Sequence, residues 1–599
     1  MVQGETSLLQ MLRTESPCAG RGGCTQCSKE ERTMRLLQAS LRPADVEPVD
    51  GTGLAPSGTD MQLNLKTFFE RTEQYFPRNE VVTRRADGSI SRYRYADYCA
   101  RARRMADALG RLGIQRGDRV ATLAWNTDQH LELYAAIPCF GAIVHTINIR
   151  LGDEDVAFII DKAQDRALFV DAEFLPLIER IAPRLPSLQH IIVMGAAEET
   201  VSTSLPVLRY ESLIETGDPA FAFPDLDENS LCGMCFTSAT TGRPKGVVYS
   251  QRGLYLHSMA LCMADVMGLA ERDTLLPVVP MFHANTWGLP YAALAVGAKM
   301  VLPGPQPTAS DILDLIEGEQ VSFCAAAVTV GVQMYDALRA RPRNVSSLRQ
   351  LMLGGSATPR ALMQRFQEHY GVPIFTAWGS TECAPLATIT HVPRDLLDAG
   401  HEARMDVRVR QGIPVPGVEI KVLDEHGAPV ARDDQSPGEV YVRGPWVAES
   451  YYEDERSRDG FVDGWWKSGD IATLNRESAL RLVDRAKDLI KSGGEWISSV
   501  DLENELMACP GVAEAAVIAA PHERWQERPA AYVVRSQAAA PVSEDQLRDW
   551  LARRFVKWWL PDHFLFVGAI PKTGVGKINK RALRERVLQD IAQHPVRSA

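Results

Sequence analysis

The chain has no apolar run long enough to cross a bilayer. Its best stretch, Tyr291 to Val296, soon meets Lys299, whereas a membrane helix needs about 20 largely apolar residues. A secretory signal is not expected either, because Glu5, Arg13 and Glu15 interrupt any apolar segment near the start. Positive charge is not in excess: the net charge is −11 and the isoelectric point is near 5.7. That argues against a nucleic-acid partner, since phosphate backbones are bound by a basic face. Disulfide chemistry is also missing, for the 11 cysteines form no dense framework, which suits the reducing cytoplasm. Cys18, Cys24 and Cys27 hold one half-motif of zinc spacing, but a structural zinc site takes four ligands and no second pair lies nearby. The Walker A spacing is absent, no internal repeat is evident, and Ser598-Ala599 does not match a peroxisomal Ser-Lys-Leu address.

What remains is an ordinary globular composition, 45% hydrophobic and 24% charged. At 599 residues the chain is too long for one core, and such a length corresponds to roughly three to five domain-sized units. Residues 1–60 lack sustained periodicity and read as a flexible extension. From Met61 onward strands and helices alternate. Tyr98, Ala102, Met105, Leu109 and Leu112 share a helical face that Gly113 ends. Short apolar strands are expected at Val120–Ala124, Ala167–Val170, Ile191–Met194, Val321–Ala327 and Leu351–Leu353, with a helix from about Asp128. Repeated βα units imply parallel sheets covered by helices. After about residue 410 the pattern turns to strands such as Ile420–Leu423 and Val440–Val442 between Gly- and Pro-rich turns. A small α+β section closes the chain, with a helix capped by Ser543 and Gln546 that sets Leu547, Trp550, Leu551 and Phe555 on one side.

The strongest chemical signal is the string Thr237, Ser238, Ala239, Thr240, Thr241, Gly242, Arg243, Pro244, Lys245 and Gly246, directly after an apolar run ending at Phe236. Hydroxyls on a glycine turn let several donors converge on phosphate oxygens, and Lys245 adds positive charge. A Ser/Thr/Gly loop alone is usually just a polar loop; ten residues in this order are far more specific. Here the sequence resembles the adenylate-forming superfamily, its medium- and long-chain fatty acyl-CoA synthetase branch in particular, from about residue 61 to the mid-580s. Ala239 stands where relatives usually carry Gly. The resemblance implies an α/β fold: a large domain of parallel-rich βα subdomains and a β-rich subdomain over 61–486, a small mobile α+β domain over 487–590, and a tail over 591–599.

Further blocks follow in the family's order. His283, in Pro280-Met281-Phe282-His283, would lie beside the activated carboxylate, and Trp287 looks like the gate over the acyl tunnel of bacterial long-chain enzymes. Gly354, Gly355, Ser356 and Ala357, with Thr376, Ala377, Trp378, Gly379, Thr381 and Glu382, both follow short apolar strands, where open α/β sheets bind ligands. The resemblance gives the glycine loop to adenine, Trp378 to stacking on it, and Thr381 and Glu382 to the α-phosphate and Mg²⁺. Glu382 is a hard oxygen ligand suited to that ion, with Thr237 as its match in the phosphate loop. Asp470, in Lys467-Ser468-Gly469-Asp470, is a carboxylate able to accept from two vicinal ribose hydroxyls.

In the family Arg485 touches the ribose, the hinge falls at Lys487, Lys491 lies on the nucleotide side, and the loop Gly493, Gly494, Glu495 and Trp496 enters for thioester formation. Lys577, between Gly574-Val575-Gly576 and Ile578, matches the lysine that bridges carboxylate and α-phosphate. A cation on a glycine-flexed loop can stabilise transition-state charge and then leave. Catalytic roles are therefore expected for Lys577, Glu382 and His283, with ATP, Mg²⁺ and coenzyme A as partners of a small carboxylic acid. A medium- or long-chain fatty acid is the expected substrate. A short thioether acid resembling 3-methylmercaptopropionate, an aryl acid, or transfer of the acyl-adenylate to a carrier protein share every block and stay open. No carrier domain is expected beyond residue 599, and relatives with the tryptophan gate suggest a homodimer.

Overall fold

The computed structural model describes residues 61–195, 205–237, 243–493, 495–536, 540–572 and 578–593. Met61–Ala599 form one compact unit. The expected α/β alternation is realised as two large parallel-rich sheets, a smaller antiparallel sheet and a C-terminal sheet.

In the seven-stranded sheet, Leu231–Phe236 pairs in parallel with Ile143–Thr146, and Gly246–Ser250 returns antiparallel at the edge. Arg119–Leu123, Ala167–Asp171 and His190–Met194 complete its centre. Each is almost wholly buried, as parallel strands covered on both faces must be. The nine-stranded sheet runs parallel from Glu80–Arg84 through Lys299–Leu302, Thr274–Pro277, Phe323–Ala327 and Gln350–Gly354 to Ile374–Gly379, and antiparallel strands flank both ends. Fully buried Phe323, Phe366 and Tyr98 lie in the cores of these layers, each contributing about 1.5–3 kcal/mol of burial energy.

The helical face read from the sequence lies on Tyr95–Arg111, where Tyr98, Ala102, Met105 and Leu109 are buried. Leu112 is the residue after its end. The β-rich section is a five-stranded antiparallel sheet containing Glu419–Leu423, Gly438–Arg443, Trp465–Leu474 and Leu480–Arg485. In the C-terminal region, Ser543 and Gln546 form a reciprocal capping box on the helix Glu544–Ala552. Phe555 lies past the end of that helix, because the chain turns there and stacks its ring on Trp559. Among the described residues no helix is long and apolar enough to cross a membrane, and no three His, Cys, Asp or Glu side chains cluster as metal ligands. Cys18, Cys24 and Cys27 lie outside the described residues.

Candidate active site

Three sheets meet where the sequence blocks fall. The hairpin strands Leu231–Phe236 and Gly246–Ser250 flank the stretch that begins at Thr237 and ends at Lys245. The Thr237 N–H donates to the Lys245 carbonyl at 2.9 Å, and the Lys245 N–H to Thr237 Oγ1 at 3.4 Å, which closes the loop at its base. Ser238, Ala239, Thr240, Thr241 and Gly242 lie outside the described residues. From the second strand of the hairpin, Tyr249 Oη donates to the Thr381 carbonyl at 2.7 Å. That bond ties the seven-stranded sheet to the turn that follows Ile374–Gly379 in the nine-stranded one.

Glu382 sits in this turn and is 4% exposed. Its Oε1 accepts from the Tyr451 hydroxyl at 2.9 Å and its Oε2 from the Ser380 hydroxyl. The Lys245 ammonium lies 3.8 Å from the centroid of the same Tyr451 ring, a cation–π contact worth about 0.5–2 kcal/mol. Burial lowers the pKa of Lys245, and the Glu382 charge opposes that shift. Burial also raises the Tyr451 pKa, with Glu382 adding to the shift, so the phenol stays a donor. Thus the loop lysine and the acidic residue converge on one tyrosine. A buried carboxylate held by hydroxyls is expensive to keep charged. Its oxygens retain acceptor capacity, so the donor set fits a hard cation.

The turn is built tightly. A Cβ on Gly379 would come within 1.7 Å of the Pro385 carbonyl oxygen, and that oxygen accepts the Ser380 N–H at 3.0 Å. Only glycine fits there, and it fixes the approach to Thr381 and Glu382.

At the strand Ile374–Gly379, Trp378 Nε1 donates to Asp470 Oδ2 at 2.8 Å, and Trp466 stacks on Trp378 at 6.4 Å between centroids. Asp470 and Arg485 are direct partners across adjacent strands, with Arg485 Nε 3.5 Å from Asp470 Oδ1. The structure therefore brings Trp378, Asp470 and Arg485 together from two sheets. Thr376 is different: its hydroxyl is shared among Thr390 Oγ1 and the Arg408 and Arg410 carbonyls. A nucleotide contact at that position would fall to its backbone. Ala377 alternates with Thr376 and Trp378 along the same strand.

Gly354 ends the neighbouring strand, followed by Gly355 at φ +89°, exposed Ser356 and half-buried Ala357. A Cβ on Gly354 would lie 2.7 Å from the ring of Trp287, so the indole rests directly on the glycine loop. The segment leading to Trp287 winds left-handed: φ is +42° at Ala284, +52° at Asn285, +54° at Thr286, +56° at Trp287 and +78° at Gly288. Such a conformation costs non-glycine residues roughly 1–2 kcal/mol each. Both amide atoms of buried Asn285 also lack a partner among the described residues. The segment is thus strained where it seats Trp287, with His283 at its start. Beneath it lies His257, 2.6 Å from where a Gly288 Cβ would stand. Burial holds the His257 pKa down near 3, so the ring is neutral, and its Nε2 accepts the Leu386 N–H at 3.4 Å.

Past Arg485, burial lowers the pKa of Lys487, and its carbonyl accepts from Arg584 Nη2 at 3.3 Å while Arg584 also pairs with Asp488. Asp484 Oδ2 accepts the Ser499 N–H at 2.9 Å. Lys491 and Trp496 face each other across a strand pair, with Nζ 5.3 Å from the indole centroid. Gly493, at φ +60°, is flanked by Trp525 and Trp558. Trp496 is 46% exposed. Gly494, the side chain of Glu495, and Lys577 lie outside the described residues. Lys572 and Ile578 pair antiparallel, so the two ends of the Lys577 loop meet.

Tyr249, Ser380, Tyr451, Trp466 and His257 were not legible as site residues. They are common residue types at no diagnostic spacing, and only the junction of sheets gives them a role.

The geometry has clear relatives. The family model for the AMP-binding enzyme matches residues 69–452, and that for the AMP-binding enzyme C-terminal domain matches residues 501–577. A long-chain-fatty-acid–CoA ligase of Thermus thermophilus is 45% identical over 88% of this chain and 96% of its own length. A medium-chain-fatty-acid–CoA ligase of Ectopseudomonas oleovorans is 39% identical over 88% of this chain and 96% of its own. A 3-methylmercaptopropionyl-CoA ligase of Ruegeria lacuscaerulensis is 40% identical over 87% and 97%. Among solved structures, an anthranilate CoA ligase in complex with anthranoyl-AMP superposes with a TM-score of 0.80 at 27% identity, covering 89% of this chain and 99% of that one. With more than half its length matched, the chain belongs to the AMP-binding enzyme family.

Proposed function

We propose that this AMP-forming acid–thiol ligase activates a medium- or long-chain fatty acid as its acyl-adenylate and passes the acyl group to coenzyme A. The observation that carries the adenylation step is the junction at Tyr451. There the base of the phosphate loop, through Lys245, and the buried Glu382 carboxylate share one side chain. The 45% identity to a long-chain ligase supports the chain length. The comparable 40% identity to a 3-methylmercaptopropionyl-CoA ligase favours a second reading, a short thioether acid in the same pocket.

A free carboxylate is a poor acyl donor because its leaving group would be oxide. In the proposed first step a carboxylate oxygen bonds to the α-phosphorus of ATP and the bond to pyrophosphate breaks. Lys245, with the backbone and hydroxyls of Thr237–Gly246, holds the phosphates, and Lys577 neutralises charge at the α-phosphate; this is catalysis by positioning and electrostatics. Thr237 and Glu382 would hold Mg²⁺, which when bound supplies positive charge to the phosphate oxygens. Trp378 and the Gly354–Ala357 loop seat the adenine, and Asp470 and Arg485 the ribose. His283 faces the reacting carboxylate. Rotation at Lys487 then withdraws Lys577 and brings in Gly493–Trp496. The thiol sulfur of coenzyme A bonds to the acyl carbon, its proton is lost, and AMP leaves with the carboxylate oxygen.

Two results are expected at the nucleotide and acyl sides. Asp470→Asn removes the charge from a ribose-binding acceptor, a change of about 1.5–3 kcal/mol, so the KM for ATP should rise roughly tenfold to a hundredfold with the acid KM little changed. Gly354→Ala pushes a methyl into the Trp287 ring, an overpacking cost of about 1–3 kcal/mol. Because Gly354 belongs to the adenine loop and also bears the Trp287 ring, the KM for ATP and the KM for the acid, measured across chain lengths, should both rise. The reading as a whole is tested by a pyrophosphate-release screen over acids from acetate to stearate, with thioether and aryl acids, each with and without coenzyme A. A maximum at medium or long chains with acyl-CoA as product supports it. A maximum at 3-methylmercaptopropionate selects the second reading, and pyrophosphate release from no acid overturns both.

A further inference from the structure

The helix His401–Arg408 divides its charges by face. Glu402 and Asp406 are both bound by Arg360, at 2.6 and 2.5 Å. His401, Arg404, Met405 and Arg408, at the one-face spacing of a helix, instead line a cavity of about 150 Å³ with Gln367 of the neighbouring helix Arg360–Tyr370. Neither arginine in that cavity has a carboxylate partner among the described residues. Arg404 Nη1 makes one long bond, 3.4 Å, to the Leu397 carbonyl. Arg408 Nη1 donates to Gln367 Oε1 at 3.1 Å, and its guanidinium lies over the Phe375 ring at 5.7 Å. Two buried nitrogens are left over with no partner among the described residues: Arg408 Nε, a donor, and His401 Nε2, a donor in one of its tautomers.

Buried donors are almost always satisfied, and an orphaned one is destabilising, the more so when it is charged. Burial and the neighbouring Arg404 charge both lower the pKa of Arg408, yet a guanidinium does not give up its proton at physiological pH. In a chain of net charge −11, two guanidinium groups, an imidazole and an amide converging on one cavity are a convergence of donors that an anion would complete. Guanidinium forks match phosphate oxygens in two-point contacts.

We propose that this pocket binds a terminal phosphate group, whether a phosphomonoester or inorganic phosphate, through Arg404, Arg408 and His401. The pocket adjoins the nucleotide side of the molecule: the Arg408 carbonyl accepts the Thr376 hydroxyl at 3.1 Å, two residues before Trp378. Two sources therefore present the same chemistry, free phosphate and the 3′-phosphate of coenzyme A; the second rests on the ligase reading above, the first does not.

The test measures the thermal unfolding midpoint of the full chain against inorganic phosphate at constant ionic strength. A saturating non-hydrolysable ATP analogue keeps the phosphate loop occupied. The midpoint should rise with the logarithm of phosphate concentration while chloride does nothing, and Arg404→Gln should abolish the rise. The only side-chain bond of Arg404 among the described residues is the 3.4 Å one to Leu397, and its removal also relieves repulsion on Arg408, so this variant should keep close to the wild-type midpoint without phosphate; His401→Gln, expected to weaken the shift, is the second variant. If coenzyme A is the source, the KM for dephospho-coenzyme A should exceed that for coenzyme A by about tenfold, one charge-assisted contact, and Arg404→Gln should bring the two together. Equal KM values in the wild type, with the phosphate shift intact, assign the pocket to free phosphate. A wild-type midpoint indifferent to phosphate, or a full shift in both variants, overturns the proposal. Failure of the ligase reading would show instead as absent ATP–pyrophosphate exchange, with the phosphate shift untouched.

Discussion

Lys577→Ala should lower acid-dependent ATP–pyrophosphate exchange by about 10²–10³-fold or more, the loss seen when a single preorganised donor is removed from a developing charge, and here a full positive charge is lost as well. The same variant should still convert presynthesised acyl-AMP and coenzyme A to thioester at close to the wild-type rate. The split follows from the proposed division of labour. Lys577 acts only while the α-phosphate is under attack, and the second step has no pyrophosphate to expel. Lys572 and Ile578 pair antiparallel, and that pairing does not depend on which residue stands at position 577. The substitution should therefore leave the thermal midpoint alone. Normal exchange in the variant would remove Lys577 from the mechanism; equal loss of both half-reactions would make it a general structural residue.

Glu382→Gln is the second large effect expected. The amide keeps the shape and can still engage the Tyr451 and Ser380 hydroxyls, but it removes a buried negative charge balanced locally by Lys245. If that charge is kept to hold Mg²⁺ against the phosphates, adenylation should fall about 10²–10³-fold, and the Mg²⁺ concentration needed for half-maximal rate should rise. Stability should hold or fall only modestly, because the neutral isostere sheds the carboxylate's desolvation cost but leaves the half-buried Lys245 ammonium without its counter-charge. A variant that loses activity only because it unfolds would show a lowered midpoint and unaltered Mg²⁺ dependence in its folded fraction. That result would return Glu382 to a purely structural role.

Much of this molecule is legible before any coordinates. Parallel strands buried on both faces leave apolar runs such as Ala167–Val170 and Ile191–Met194, and both appear within one residue of the expected bounds. The cap at Ser543 is legible because Gln546 completes a reciprocal pair of local hydrogen bonds. The strings Thr237–Gly246 and Thr376–Glu382 stand out in the sequence for a different reason: the phosphate and nucleoside recognition proposed for them demands particular residue types in short order.

The supporting residues are hidden because their partners are far away in sequence. Tyr249 reaches Thr381, Tyr451 reaches Glu382, and Trp378 reaches Asp470, each across a sheet boundary. The hydroxyl of Thr376 is taken by carbonyls of Arg408 and Arg410, which no local pattern announces. The left-handed turn before Trp287 is equally silent: Ala284, Asn285, Thr286 and Trp287 have no common preference for positive φ, and the packing of Gly288 on His257 and of Trp287 on Gly354 holds them there.

The most direct test follows the oxygen atoms. The acid is supplied with its carboxylate oxygens isotopically labelled, together with ATP and coenzyme A, and the phosphorus-containing products are analysed by mass spectrometry. Attack of the carboxylate on the α-phosphorus requires one labelled oxygen in AMP and none in pyrophosphate. Label in inorganic phosphate, or unlabelled AMP alongside acyl-CoA, would contradict the adenylate route.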